Sequence, residues 1–246
     1  MASDLIPPLW KVPQIFRDRM GEQVGRQRPM VVDGHLLLVL HAPPKPNENQ
    51  RHGRFFWRDP AGQWTSKDRG TGINALNKHL EEYEEVINAL DRLEEKATTS
   101  NEYFAILEQL SPVQRSATNL HQVLQAARKE CPGFRELINL RDRAYEIERT
   151  AELLLADVKN GLDVAVAKRA EEQSASSHQM SIASHRLNVL VALFFPLATL
   201  MAIFGANLRH GWEDTWPPIP MLVLIALGLV LGGILSLFVT RTPRSN

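Results

Sequence analysis

The stretch that decides the fold is LNVLVALFFPLATLMAIFGAN, residues 187–207. Residues 187–205 carry no charged side chain. A helix rises about 1.5 Å per residue, so this segment would be about 28 Å long, close to the thickness of a bilayer's hydrocarbon core. It therefore predicts a membrane-spanning helix. A buried helix in a soluble protein is the less favoured alternative, because the segment is long and without charge.

A second uncharged segment, residues 220–239, follows a short polar loop. His185 and Arg186 precede the first segment, and Arg241 and Arg244 follow the second. Positive charge accumulates on the cytoplasmic side of membrane spans. The sequence therefore predicts a multi-pass membrane protein with both termini in the cytoplasm.

The helical pattern upstream of residue 187 is long and regular. Between Pro132 and Pro196 there is no proline, and apolar or small residues recur at steps of three and four, as in a heptad stripe. The stripe contains Leu137, Leu140, Ala144, Ile147, Ala151, Leu154, Val158, Gly161 and Ala165, and continues through Ser174, His178, Ser181, His185, Asn188, Ala192, Phe195, Thr199, Ala202 and Ala206. We expect one helix of about 70 residues whose stripe meets copies of the chain around an axis, with the small residues allowing close approach.

The N-terminal part differs in character. Residues 30–41 with a turn at Asp33-Gly34, 54–57 and 63–65 read as strands, and residues 15–20 as a short helix. Two helices follow, at 73–97, capped by Thr71 or Asn74, and at about 102–130, capped by Ser100 or Asn101, with a break or kink near Pro112.

The predicted fold is mainly α-helical, with a long stalk helix continuous with the first of two C-terminal spans and a small β-containing unit at the N-terminus. The expected divisions are a reduced α/β cytoplasmic region at 1–72, a helical funnel or stalk at 73–186, a pore-lining span at 187–207, a periplasmic loop at 208–219, a second span at 220–240 and a basic tail at 241–246.

Composition excludes several classes of function. The net charge is zero, which gives no reason to expect nucleic acid as a partner. Cys131 is the only cysteine, so no intramolecular disulfide can form, and the first 25 residues lack the apolar core of a signal peptide. No catalytic motif occurs, so we expect neither an enzyme nor a cofactor. The acidic runs at 81–85 and 91–95 favour solvated helix faces over a regulatory metal site, and no metal site can be assigned in the cytoplasmic region.

The candidate functional residues lie on the stripe and beyond it. With the stripe turned inward, Ser181 and Asn188 form a polar mouth, and Val191 and Phe195 form an apolar neck that can gate by dewetting. Phe195 against lipid or a neighbouring helix is an equally weighted alternative. Further along lie the stripe residues Thr199 and Ala202. A ring of Asn207 amides suits a hydrated Mg²⁺ ion, whereas a helix cap is the alternative reading. Glu213 and Asp214 either attract cations or solvate the loop.

Two motifs carry a family resemblance: Pro196-Leu197 inside the first span and Gly205-Ala206-Asn207 at its outer end. The region resembles the CorA family of divalent-cation transporters, whose signature is Gly-Met-Asn. The resemblance implies a homopentamer whose first spans line the pore. It makes residues 205–207 the ion-selecting site, places Phe195 at a pore methionine of the family and makes Leu187 a gate residue. Ala206 replaces methionine, and the N-terminal region is shorter than usual.

Together these features predict a channel for divalent cations, with Mg²⁺ first and Zn²⁺, Co²⁺ and Ni²⁺ as alternatives. Asn207 would select the hydrated ion, which is substrate rather than cofactor, and an apolar neck would gate it. The expected partners are further copies of the chain and the lipid bilayer. The alternative is a ligand-gated signalling or effector protein on the same scaffold, without constitutive Mg²⁺ transport.

Overall fold

The computed structural model describes residues 5–46, 51–205 and 219–240. The chain divides into two compact units, Met1–Ala167 and Lys168–Asn246. The first unit contains a four-stranded sheet and a helical core, and the second contains the apolar C-terminal helices. The mainly helical fold with a small N-terminal sheet and one long helix is as the sequence predicts.

The sheet is an antiparallel meander in the order β1-β2-β3-β4. Its strands are β1 Arg28–Val32, β2 His35–His41, β3 Gly53–Arg58 and β4 Trp64–Ser66. The first hairpin turns at Asp33 and Gly34, which both have positive φ, 48° and 77°. Two-residue hairpin turns of this kind need left-handed backbone at both positions, which Asp-Gly supplies at low cost. The predicted turn at this position is therefore confirmed.

The two faces of the sheet are buried by different parts of the first unit. Leu36, Leu38 and Phe56 belong to the large core shared with the helices. Leu37 and Val39 point to the other face, and join a smaller cluster formed by the N-terminal arm. That cluster is completed by Ile6, Phe16, Met30 and Phe55, with Phe16 lying on the short helix α1, Gln14–Asp18. Because side chains alternate along a strand, a strand buried on both faces is continuously apolar, as β2 is.

Three helices follow the sheet: α2 Asn74–Glu94, α3 Ser100–Glu130 and α4 Glu136–Gly205. The predicted caps are wrong. Thr99 caps α3 in a capping box, accepting from the Glu102 amide at 3.4 Å while the Glu102 carboxylate accepts from the Thr99 amide at 2.9 Å. The residue preceding α2 is Ile73, with no side-chain cap hydrogen bond. Helix α3 continues through Pro112 without a break.

The first half of the α4 stripe lies inside the chain's own core. The seven stripe residues of this half share one hydrophobic cluster with α2 and α3, and each is at most 3% exposed. They are Leu137, Leu140, Ala144, Ile147, Ala151, Leu154 and Val158. Gly161 is also covered, since a Cβ there would lie 2.5 Å from Cε1 of Tyr103 on α3. The prediction that this part of the stripe meets other copies is therefore wrong. Heptad periodicity identifies a buried face but not the helices that bury it.

Ion pairs join α4 to the elements that cover it. The Arg143 guanidinium holds the Glu84 carboxylate of α2 through two bonds of 2.6 and 2.7 Å. Arg58 of β3 contacts Glu136 at 2.7 Å. The acidic run on α2 is thus engaged by arginines, with Glu82 held by Arg54 and Arg69. Among the residues that the structure describes, no group of three or more His, Cys, Asp or Glu side chains could hold a metal ion.

Candidate functional site

The C-terminal part of α4 is the membrane candidate. Helix α4 contains an 18-residue window with a mean hydropathy of 1.9, none of it buried within the chain. Helix α5, Ile219–Thr240, is also apolar. Its described apolar stretch, Met221–Leu237, is shorter than the 18 residues of that window. An uncharged helix of this length with no protein covering it requires an apolar environment. By length and composition, the end of α4 is able to cross a bilayer.

Helices α4 and α5 pack closely through two glycines. A Cβ at Gly228 would lie 2.8 Å from Cδ1 of Leu197, and a Cβ at Gly232 would lie 2.4 Å from the Leu193 carbonyl oxygen. The contact moves backward along α4 as it moves forward along α5, so the helices are antiparallel. The spacing of four residues is that of the small-residue motif by which membrane helices approach each other. The two helices thus form a tight hairpin pair.

The predicted stripe lies on the face of α4 that α5 leaves uncovered. At 3.6 residues per turn, Leu193 and Leu197 lie about 160° round the helix from Phe195. Phe195 is 66% exposed and Val191 50% exposed. Four further candidate pore residues all lie within about 40° of Phe195 and are all exposed: Ser181, Asn188, Thr199 and Ala202.

The structure adds detail at two predicted site residues, Thr199 and Leu187, whose roles stay predictions. Thr199 donates its hydroxyl to the Phe195 carbonyl at 2.8 Å, so this proton is used within the helix. Such a bond back to the preceding turn is common for Thr in helices and explains why the hydroxyl does not point freely from the stripe. Leu187 is 61% exposed but lies about 80° from Phe195 round the helix, beside the stripe rather than on it.

The predicted selectivity site falls mostly outside the described residues. Helix α4 is described as far as Gly205. Ala206, Asn207, Glu213 and Asp214 lie in the part of the chain that the structure does not describe. The roles given to them therefore stay predictions.

Sequence analysis missed a buried polar cluster around His79 in the first unit. His79 is fully buried on α2, and its Nδ1 lies 2.8 Å from Arg54 Nη1. A guanidinium only donates, so Nδ1 accepts, and the proton of the neutral ring sits on Nε2, which has no hydrogen-bond partner. Burial, followed by the charge of Arg54, lowers the pKa of His79 well below its ordinary value. The available signal was the position of His79 on the apolar face of α2, between Leu76 and Leu80.

A buried sheet, a helical core and an uncovered apolar helix pair together define a membrane protein with a folded extramembrane part. Residues 67–241 match the family model described as CorA-like Mg2+ transporter protein. The chain belongs to this family of membrane proteins that transport divalent cations. The resemblance inferred from Pro196-Leu197 and Gly205-Ala206-Asn207 is confirmed.

Two solved structures match this chain, and the first of them is similar in fold. The full-length CmaX protein is 14% identical, with a TM-score of 0.56, covering 94% of this chain and 81% of that one. The CorA magnesium transporter from Methanocaldococcus jannaschii is also 14% identical, with a TM-score of 0.42, covering 89% of this chain and 82% of that one. No curated protein matches the sequence significantly.

Proposed function

We propose that this protein is a channel for divalent metal cations, Mg²⁺ first, in the bacterial inner membrane. Both α4 and α5 cross the bilayer, and both termini face the cytoplasm. The observation that carries the proposal is the uncovered stripe of α4, which lies opposite its contact with α5. A face that neither the core nor the partner helix covers is the face available to line a path.

Five copies arranged around an axis would turn this stripe inward. The stripe changes character along its length, being polar at Ser181 and Asn188 and apolar at Val191 and Phe195. A polar opening that leads to an apolar constriction can stop ion flow by expelling water. Because the N-terminal half of the stripe is already buried within each chain, the copies would meet through the half that follows Gly161.

Ion selection is assigned to residues 205–207. Mg²⁺ dehydrates reluctantly, so side-chain carbonyls that bond to its water shell select it at lower cost than direct ligands. A ring of Asn207 amides provides such acceptors, and Gly205 and Ala206 leave room for the hydrated ion. Glu213 and Asp214 would raise the cation concentration at the outer entrance. Zn²⁺, Co²⁺ and Ni²⁺ are the competing substrates, since Ala206 departs from the family signature.

The test is ion uptake into proteoliposomes that contain the full chain. We expect uptake of Mg²⁺ that Asn207→Ala abolishes or reduces at least about tenfold, a loss of about 1.4 kcal/mol or more. Asn160→Ala is the matched control, since Asn160 is exposed on α4 outside the span and its uptake should equal that of the unmodified chain. Undiminished uptake after Asn207→Ala, uptake of no divalent ion, or a monomeric state in detergent would contradict the proposal.

A further inference from the structure

The first unit contains a cavity that the transport function does not use. It lies between the end of β2 with the segment that follows it, the start of β3 and the middle of α3. Its volume is about 530 Å³, within the range of small-molecule sites. The chemistry of the residues that line the cavity indicates what it could bind.

The rim of the cavity is basic. Among the described residues that line it, Lys45, Arg51 and Arg115 are cationic and Glu108 is the one carboxylate. Within the described residues, no carboxylate forms an ion pair with Lys45, Arg51 or Arg115. Several other arginines of the unit do form ion pairs with carboxylates, as Arg143 does with Glu84. Cationic side chains that outnumber the carboxylates on one concave surface attract an anion.

The floor of the cavity is rigid and neutral. Tyr83 donates its hydroxyl to the His41 carbonyl at 2.9 Å, so Ser116 donates to the Tyr83 oxygen at 2.7 Å. His41 Nε2 is held 2.9 Å from the Gly25 carbonyl. Burial, and to a lesser extent the charge of Arg51, lower the pKa of His41, which keeps its ring uncharged. A floor fixed by hydrogen bonds loses little entropy when a ligand arrives.

Prolines form much of the remaining wall. Pro43, Pro44 and Pro46 follow β2, and Pro112 lies on α3 across the cavity. Their rings present apolar surface with little conformational freedom. An inorganic anion alone would leave this surface without a contact. The lining therefore combines positive charge for an anionic group with a rigid apolar wall for an organic part.

We propose that this cavity binds a small organic phosphate of up to nucleotide size, with the phosphate at Lys45, Arg51 and Arg115 and the organic part against the proline wall. A phosphate ester carries a charge of about −1.5 to −2 near neutral pH, whereas a carboxylate carries one negative charge, so three cationic side chains favour phosphate over a simple carboxylate. This site goes beyond cation transport and does not depend on it.

The test is binding of ATP to the purified full chain in detergent, measured by isothermal titration calorimetry with EDTA present so that no divalent ion contributes. We expect saturable binding of ATP, weaker binding of pyrophosphate and none of adenosine, since adenosine lacks the charge. Arg51→Gln combined with Arg115→Gln should weaken ATP binding at least about tenfold, because charge-assisted bonds are the strong ones. Lys159→Gln, a single charge change on an exposed face of α4, is the control and should leave binding within about twofold, the size of a charge effect at a distance.

Three results would overturn the proposal: no ATP binding at millimolar concentration, equal binding of adenosine and ATP, or an equal loss in Lys159→Gln. If pyrophosphate binds as tightly as ATP, the organic part of the ligand contributes nothing to affinity. That result would contradict the role proposed for the proline wall. Arg115→Lys keeps the charge, and recovery of binding in that variant would separate a binding defect from misfolding. The assay contains no ion flux, so its outcome is independent of whether the protein transports Mg²⁺.

Discussion

Gly232 of α5 lies directly against the backbone of Leu193 of α4. A Cβ at position 232 would be 2.4 Å from the Leu193 carbonyl oxygen and 3.1 Å from its carbonyl carbon. Real Cβ atoms do not approach an oxygen so closely, and a backbone carbonyl inside a helix cannot turn away. The separation of the two helices is therefore set at a point where only a glycine fits.

Gly232→Ala should push α5 away from α4 and destabilise the hairpin pair. Forcing a methyl group into a closely packed interface costs about 1–3 kcal/mol. The measurement is the thermal midpoint of unfolding of the full chain in detergent. Gly233→Ala is the matched control, because a Cβ at the neighbouring glycine meets nothing within 4 Å. Equal midpoints for the two variants would show that the α4–α5 contact is not as close as described.

Gly161 makes a comparable contact with a side chain instead of the backbone. A Cβ there would lie 2.5 Å from the Tyr103 ring, whose hydroxyl donates to the Ala97 carbonyl at 2.9 Å. Gly161→Ala should displace the ring and lower the free energy of unfolding. In a Tyr103→Ala background the same change should raise it by up to about 1 kcal/mol, since alanine favours a helix over glycine. Thermal unfolding of the four proteins checks this reversal of sign, and the same sign in both backgrounds would contradict the contact.

His79 should make stability depend on pH. Its pKa in the folded state lies well below the ordinary value, so the folded protein holds the ring neutral. Protonation would place a second cation beside Arg54 and near Arg69, with the His41 ring also nearby and only Glu82 offsetting them. The unfolded chain binds the proton near its ordinary pKa of about 6.5. Stability is therefore fully present above that pH and falls as the pH is lowered through it, by up to about 1.4 kcal/mol per pH unit.

His79→Gln should reduce this slope, because its amide oxygen still accepts from Arg54 and does not titrate. The slope will not vanish, since the pKa of His41 is lowered too. Unfolding midpoints of the full chain between pH 7.5 and pH 5.5 measure the slope, spanning about one unit on each side of the titration. His178→Gln, at an exposed position, serves as the control. A slope unchanged in His79→Gln would show that this ring does not govern the acid limb.

The sequence predicted the features that depend on residues close together in the chain. It did not predict which distant segments pack against each other. The Asp33-Gly34 turn and the uncharged span need only neighbours in the chain, so both were found. The stripe from Leu137 to Val158 was found as a face but assigned to other copies, because periodicity is the same whether its own α2 and α3 or a second chain covers it. The His79–Arg54 contact joins residues 25 positions apart and leaves no local pattern beyond a histidine on an apolar face.

The stripe opposite α5 leads to a last prediction. This prediction distinguishes a face of α4 that lines a pore from a face that contacts lipid. Phe195 and Phe194 are neighbours, 66% and 54% exposed, but point about 100° apart round α4. If copies of the chain surround a path, Phe195 narrows it and Phe194 does not. Phe195→Ala should widen the neck and lower the barrier to ion entry, and each 1 kcal/mol removed gives about fivefold faster uptake.

Phe194→Ala is the matched control for this change, since it removes the same atoms from the same turn of the helix. Mg²⁺ uptake into proteoliposomes, at equal protein content and with unfolding midpoints measured for both variants, compares the two. We expect faster uptake for Phe195→Ala and unchanged uptake for Phe194→Ala. If both variants behave alike, Phe195 faces lipid or another helix, because a residue that faces the ion path cannot be equivalent to a neighbour that points away from it.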